Sequence, residues 1–243
     1  MDKERKTIYL CLAHMSEDGM EQKYVKEAFD TNWVVPLGPN VNGFEDDLKA
    51  FVSKNSDGTD LQKEVVALSA GTAAVHLALL ACGVGPGDEV CVQSFTFCAS
   101  SHPITYLGAT PVFIDSEPNT WNMDPELLEK AIIDRKEKTG KYPKAIVPVA
   151  LYGMPYDCDR IMAIADKYGI PVVEDAAEGF GSRYKGQVLG TFGKFGVLSF
   201  NGNKMITTSG GGALICNDAE SKNQVMWYAT QARDSYPYYQ HSA

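Results

Sequence analysis

The sequence predicts an α/β protein with a mostly parallel, seven-stranded sheet flanked by helices. Two patterns point to this fold. Short apolar, β-branched runs recur without strict polar alternation, as strands buried on both faces should read. Helical patterns separate most of them, which is the order of a wound parallel sheet. The 243 residues suffice for one large domain, or one domain and part of a second.

Taken in order, the strand candidates are Val65–Ser69, Glu89–Gln93, Pro111–Ile114, Ala145–Ala150, Val172–Glu174, Val197–Phe200 and Ala213–Cys216. Thr72–Cys82 is an Ala/Leu-rich helix that stops at Gly83. A second starts at Asp124-Pro125, where Asp caps and Pro occupies the first turn. Asp159–Tyr168 ends at Gly169 ahead of Pro171, a C-terminal signature. Ala219–Arg233 is a further helix. The first sixty residues are more polar, with helical stretches at Asp18–Phe29 and Phe44–Val52 around Asn32–Asn42, and read as a lead-in arm. The last eleven, Arg233–Ala243, are aromatic and polar and close no element.

Composition excludes several functional classes. Lys and Arg number 22 against 31 Asp and Glu, a net charge of −9, which argues against a nucleic-acid partner. The most apolar stretches, Ala70–Val84 and Ala145–Met154, are too short or interrupted to span a bilayer, so no membrane partner is expected. The start, Asp2-Lys3-Glu4-Arg5-Lys6 followed by Ile8–Ala13, lacks the long apolar core of a signal peptide, and a cytoplasmic protein is expected. The six cysteines (Cys11, Cys82, Cys91, Cys98, Cys158, Cys216) form no C-x-x-C pair, and read as buried small hydrophobes in a reducing compartment. The four histidines have no metal-ligand spacing, and no metal site is expected. Phosphate-loop, dinucleotide, zinc-protease and nucleophile-elbow motifs are absent. A Rossmann oxidoreductase is disfavoured for want of its glycine fingerprint.

Four features converge on one chemistry. Ser69-Ala70-Gly71-Thr72-Ala73-Ala74 lies where a strand hands over to a helix, a place where free N–H groups can hold an anion. Val173-Glu174-Asp175-Ala176-Ala177-Glu178 puts acids at the C-terminal end of a buried strand, the ligand-bearing edge of such sheets. Ser199-Phe200-Asn201-Gly202-Asn203-Lys204 follows another strand with a lysine, beside Thr207–Gly212. Phe95-Thr96-Phe97 offers an aromatic at a third strand end. Each alone has an ordinary use as a turn, a cap, a solvated lysine or core packing. Together they are a phosphate cradle, an acid for a pyridine nitrogen, an amine for an aldehyde and a flat ring partner: the parts of a pyridoxal 5′-phosphate site.

The stretches SAGTAAVHLAL (69–79), GDEV (87–90), SFTFCAS (94–100), LGATPVFID (107–115), VEDAAEGFGSRYKG (173–186) and SFNGNKMITTSGGGAL (199–214) resemble, in order, the DegT/DnrJ/EryC1/StrS family of sugar aminotransferases, with the aspartate-aminotransferase-like fold. The resemblance implies the large domain of a fold type I pyridoxal phosphate-dependent transferase. Lys204 matches the lysine that bonds to the cofactor, and Asp175 the acid that keeps its ring nitrogen protonated. Gly71, Thr72, Ala73 and Ser199 match phosphate contacts, Phe97 the stacking aromatic, and Glu178 a residue near the ring hydroxyl that is Gln or His in many members. Lysine rather than histidine at 204 implies transamination rather than sugar dehydration.

The resemblance also implies residues 1–60 as an N-terminal arm and helices, 61–233 as the large cofactor domain, and 234–243 as the start of a C-terminal small domain that is otherwise missing. It implies glutamate as amino donor, a nucleotide-linked keto sugar as acceptor, such as a 4-keto-6-deoxy hexose, a role in cell-surface polysaccharide or glycan biosynthesis, and a homodimer. A non-catalytic cofactor-binding domain that needs a partner fragment is the second reading.

Overall fold

The computed structural model describes residues 14–242. The charged run at 2–6, the apolar run Ile8–Ala13 with Cys11, and Ala243 lie outside the described residues. Helices α1 (Met20–Asp30) and α2 (Pro39–Val52) come first. Then follow β1 (Glu64–Leu68), α3 (Gly71–Ala81), β2 (Glu89–Gln93), α4 (His102–Tyr106), β3 (Thr110–Ile114), α5 (Pro125–Thr139) and β4 (Ala145–Val147). Helix α6 (Cys158–Tyr168), β5 (Val173–Asp175), a small hairpin β6 (Arg183–Tyr184) and β7 (Gln187–Val188), β8 (Phe195–Ser199), β9 (Gly212–Cys216) and α7 (Ala219–Ala229) complete the order.

All seven predicted strands form, and they make one continuous sheet. β3, β2 and β4 pair in parallel, and β5, β8, β9 and β1 pair in that order. Parallel bridges at Ile146–Val172 and Val149–Asp175 join the two sets. The predicted strand Ala145–Ala150 is regular only to Val147, because Pro148 has no N–H to give the ladder. Its carbonyl still accepts from Asp175 N at 2.9 Å, and Ala150 N donates to Asp175 O at 3.0 Å. β9 runs antiparallel to both β8 and β1, since the β8–β9 connection contains no crossover helix.

The sheet is buried on both faces, which accounts for its unbroken apolar runs. Val66, Val90, Val92, Ala145, Val147, Val173, Val197 and Leu214 pack with Val75, Ala78, Leu79 and Val225 of α3 and α7. Their strand neighbours Val65, Cys91, Ile146, Leu198, Ala213 and Ile215 pack on the other face with Leu128, Ile132, Ile161 and Ala165 of α5 and α6. Leu48 and Val52 of α2 join this second layer.

Helix ends follow side-chain chemistry. Asp124 accepts from Glu126 N and Leu127 N, and Asp157 from Arg160 N. Gly169 ends α6 at φ 66°. Two helix boundaries differ from expectation by several residues. Pro39, set by Gly38, starts α2 within the stretch expected to lie between helices. α7 stops at Ala229 rather than Arg233, because Gln231 and Ala232 turn left-handed at φ 73° and 50°. Cys98 is exposed, whereas Cys91, Cys158 and Cys216 are buried and Cys82 half-buried; all five are free. Burial pushes the Cys91 and Cys216 thiols up to about 12.

The two acids of β5 part company. Glu174, 1% exposed, points away from the sheet's ligand-bearing edge and accepts from Gly190 N (2.9 Å), Phe192 N (2.9 Å) and Gly193 N (3.2 Å). It pins the loop before β8. Glu174→Ala strands three N–H groups and is expected to lower unfolding stability by about 3 kcal/mol, measured by urea denaturation.

Candidate active site

β1, β4, β5 and β8 run in the same sense, with β2 parallel to β4, so their C-terminal ends meet at one edge. A cavity of about 350 Å³ opens there. Gly71, Thr72, Phe97, Asp175, Glu178, Ser199 and Lys204 all line it, although they come from four separate stretches of chain. Ala73 sits half-buried in the first turn of α3, beside the lining rather than on it.

The helix N-terminus at the cavity is set by close packing. Ala70 occupies the N-cap of α3 and has no side-chain oxygen, so no side chain caps the turn that begins with Gly71 and Thr72. Thr72 is thus a helical residue and not the cap. A Cβ on Gly71 would lie 2.9 Å from Ser199 Cβ, and one on Gly212 would lie 2.3 Å from the Ala70 carbonyl carbon. These two glycines let the helix N-terminus settle against β8 and β9, bringing Ser199 Oγ beside open N–H groups.

Lys204 rides on the β8–β9 hairpin. Phe200 N donates to Gly211 O (2.9 Å) and Thr208 N to Phe200 O (2.9 Å), and Lys204 N donates to Asn201 O (3.0 Å). The lysine side chain is only 12% exposed, and its Nζ lies 3.4 Å from Glu178 Oε1. Glu178 Oε2 accepts from Tyr152 N at 2.7 Å. Tyr152 adopts φ 50° to aim that N–H, strain placed at the site.

Asp175 is 5% exposed, and burial pushes its carboxyl above the usual carboxylate range. The Ser100 hydroxyl, Ala177 N–H and Lys204 charge oppose that shift, and Glu178 adds to it. Phe97 is 70% exposed on the cavity rim, so it is not a core residue. Thr96, Ser100 and the Tyr152 N–H were not singled out from the sequence. The hydroxyl spacing in SFTFCAS was the available signal for the first two; nothing local marks a backbone N–H.

A fixed amine, a buried acid, an exposed aromatic ring and an uncapped helix N-terminus on one cavity fit pyridoxal phosphate group by group. Fold and site together define a pyridoxal phosphate-dependent transferase domain. The family model for the DegT/DnrJ/EryC1/StrS aminotransferase family matches residues 15–242, and the chain belongs to that family. EpsN of Bacillus subtilis is 51% identical over 98% of this chain and 58% of its own length. The GDP-perosamine synthase of Caulobacter vibrioides is 44% identical over 83% of this chain and 50% of its own. Spr1654 of Streptococcus pneumoniae, solved in its PLP form, superposes with a TM-score of 0.76 at 29% identity, over 91% of this chain and 59% of that one. The chain thus spans between half and three-fifths of the length of these proteins. Pyridoxal phosphate is the cofactor of the site.

A raised carboxyl costs stability once it ionises, so this part of the stability is present at low pH and lost as pH rises through the folded-state value. Asp175→Asn removes the ionisation. In the cofactor-free protein, its melting temperature relative to wild type is expected to climb between pH 4 and pH 7.5, read by scanning calorimetry.

Proposed function

We propose that the protein transfers an amino group from a donor, glutamate, to a keto group of a nucleotide-linked sugar. The supporting observation is the meeting of Lys204, Asp175 and the uncapped α3 N-terminus on one cavity. Bound pyridoxal phosphate supplies an electron-accepting ring conjugated to the nitrogen being moved. The first turn of α3, from Gly71 through Thr72 and Ala73, and the Ser199 hydroxyl hold the phosphate. Asp175 would keep the ring nitrogen protonated, and Phe97, on the cavity rim, would pack against the ring. Lys204 Nζ would hold the cofactor's aldehyde and, as a free amine, would move the proton between the donor's α-carbon and the acceptor's carbon. Glu178 holds that amine, with Oε1 3.4 Å from Lys204 Nζ, and would serve the ring hydroxyl.

The acceptor class is supported by the family and by a relative named for a GDP-linked amino sugar. A 4-keto-6-deoxy hexose is the acceptor we favour, for use in cell-surface polysaccharide or glycan biosynthesis in the cytoplasm. Among the described residues no helix is long and apolar enough to cross a membrane. A homodimer is supported by the apolar side chains that α1 and the following segment leave exposed, among them Val25, Phe29, Trp33, Val34 and Leu37. The same exposed surface, with the partial span of the relatives, favours a second reading: a cofactor-binding unit, 61–233, that turns over only with a partner supplying the rest.

Lys204→Ala is expected to abolish the visible absorbance band of lysine-bound cofactor that wild type shows with pyridoxal phosphate. An undiminished band would place the bond on another lysine. Adding glutamate to wild type is expected to bleach the band; a band unmoved by glutamate favours the second reading.

A further inference from the structure

Two hydroxyl groups form a chain that ends on Asp175. Ser100 Oγ lies 2.6 Å from Asp175 Oδ2 and 2.8 Å from Thr96 Oγ1. Ser100 is 1% exposed, so water cannot substitute for either partner. A hydroxyl has one proton, and an ionised carboxylate only accepts. Ser100 therefore donates to Asp175, and the Ser100 oxygen accepts from Thr96. The other carboxylate oxygen, Oδ1, accepts from Ala177 N at 3.1 Å, so both oxygens of Asp175 are held.

The two hydroxyls reach Asp175 from another strand. Both follow β2, which is separated from β5 in the sheet by β4. The 3-10 turn Cys98–Ser100 places them there, and Ser100 N donates to Phe97 O at 3.1 Å. One turn thus sets both the rim aromatic and the support of the buried acid.

We infer that Ser100 is a positioning residue for Asp175, kept in its donating orientation by Thr96, and that the pair holds the carboxylate ionised and fixed for the cofactor's ring nitrogen. The last clause rests on the pyridoxal phosphate site described above. The direction of the chain and the charge of Asp175 are coupled. A protonated Asp175 would donate to Ser100, which would then have to donate to Thr96. Burial favours that neutral state, and the Ser100 and Ala177 donors oppose it. Two charged groups also act on Asp175: Lys204 from the β8–β9 hairpin favours the anion, and Glu178 from the segment after β5 disfavours it.

The test compares thermal unfolding of the cofactor-free protein between pH 5 and pH 8 for wild type, Ser100→Ala, Thr96→Val and Thr96→Ser, each also in an Asp175→Asn background. Removing the Ser100 donor raises the Asp175 carboxyl further, so stability is lost as pH rises through it. Ser100→Ala is expected to lose about 3 °C more at pH 8 than at pH 5, with no such slope beside Asp175→Asn. Thr96→Val should show a weaker slope of the same sign, and Thr96→Ser should match wild type. A loss for Ser100→Ala that is flat with pH, and equal in the Asp175→Asn background, would reduce the serine to a space-filling role and overturn the inference.

A second readout is the dissociation constant for pyridoxal phosphate from fluorescence quenching, expected to rise about tenfold in Ser100→Ala. If wild type takes up no cofactor, the cofactor site itself falls and the proposal with it. If wild type binds and Ser100→Ala binds equally well, only the positioning role falls.

Discussion

The site is built around one carboxyl group held where water is scarce. Asp175 ends β5 in the middle of the sheet, with β4 on one side and β8 on the other. Desolvation there favours the neutral acid. The protein answers with a serine hydroxyl, a backbone N–H and a lysine charge, each brought from a different part of the chain. None of the three is local to β5 except the N–H of Ala177. The sheet edge is what makes the assembly possible, because parallel strands deliver several loop starts to one place.

The same edge explains the glycines. A helix N-terminus attracts an anion only if its N–H groups are left open and the ligand can come close. Ala70 leaves them open, and Gly71 and Gly212 allow the approach. Glu174, next to Asp175, uses its burial differently. It spends its hydrogen-bonding capacity on three backbone N–H groups and rigidifies the approach to β8. Adjacent acids on one strand thus serve opposite faces, one bonding the loop before β8 and one lining the cavity.

Much of this was legible in the sequence. Strand runs such as Glu89–Gln93 lack alternation because both faces are covered, and that pattern survives without any structure. Lys204, Asp175 and Gly71 stood out because each follows a strand and carries a residue type suited to one part of a single ligand. Three things could not be read. The antiparallel direction of β9 depends on how a twelve-residue connection folds back, and composition does not encode direction. Residue pattern alone does not separate Glu174 from Asp175, a matter of register in a three-residue strand; only the family resemblance singles out Asp175. Ser100 gains its place only because β2 lies two strands from β5, a tertiary fact.

The strand pairing carries a consequence for biosynthesis. Glu64 of β1 pairs with Cys216 of β9, so the first strand made waits for the last. Loop closure over that separation is slow compared with helix formation or local collapse. During synthesis β1 and the helix that follows it have no permanent seat until the ribosome has released nearly the whole sheet. The nascent chain therefore carries an unpaired, apolar strand for most of its emergence, the state in which chaperone capture competes with aggregation.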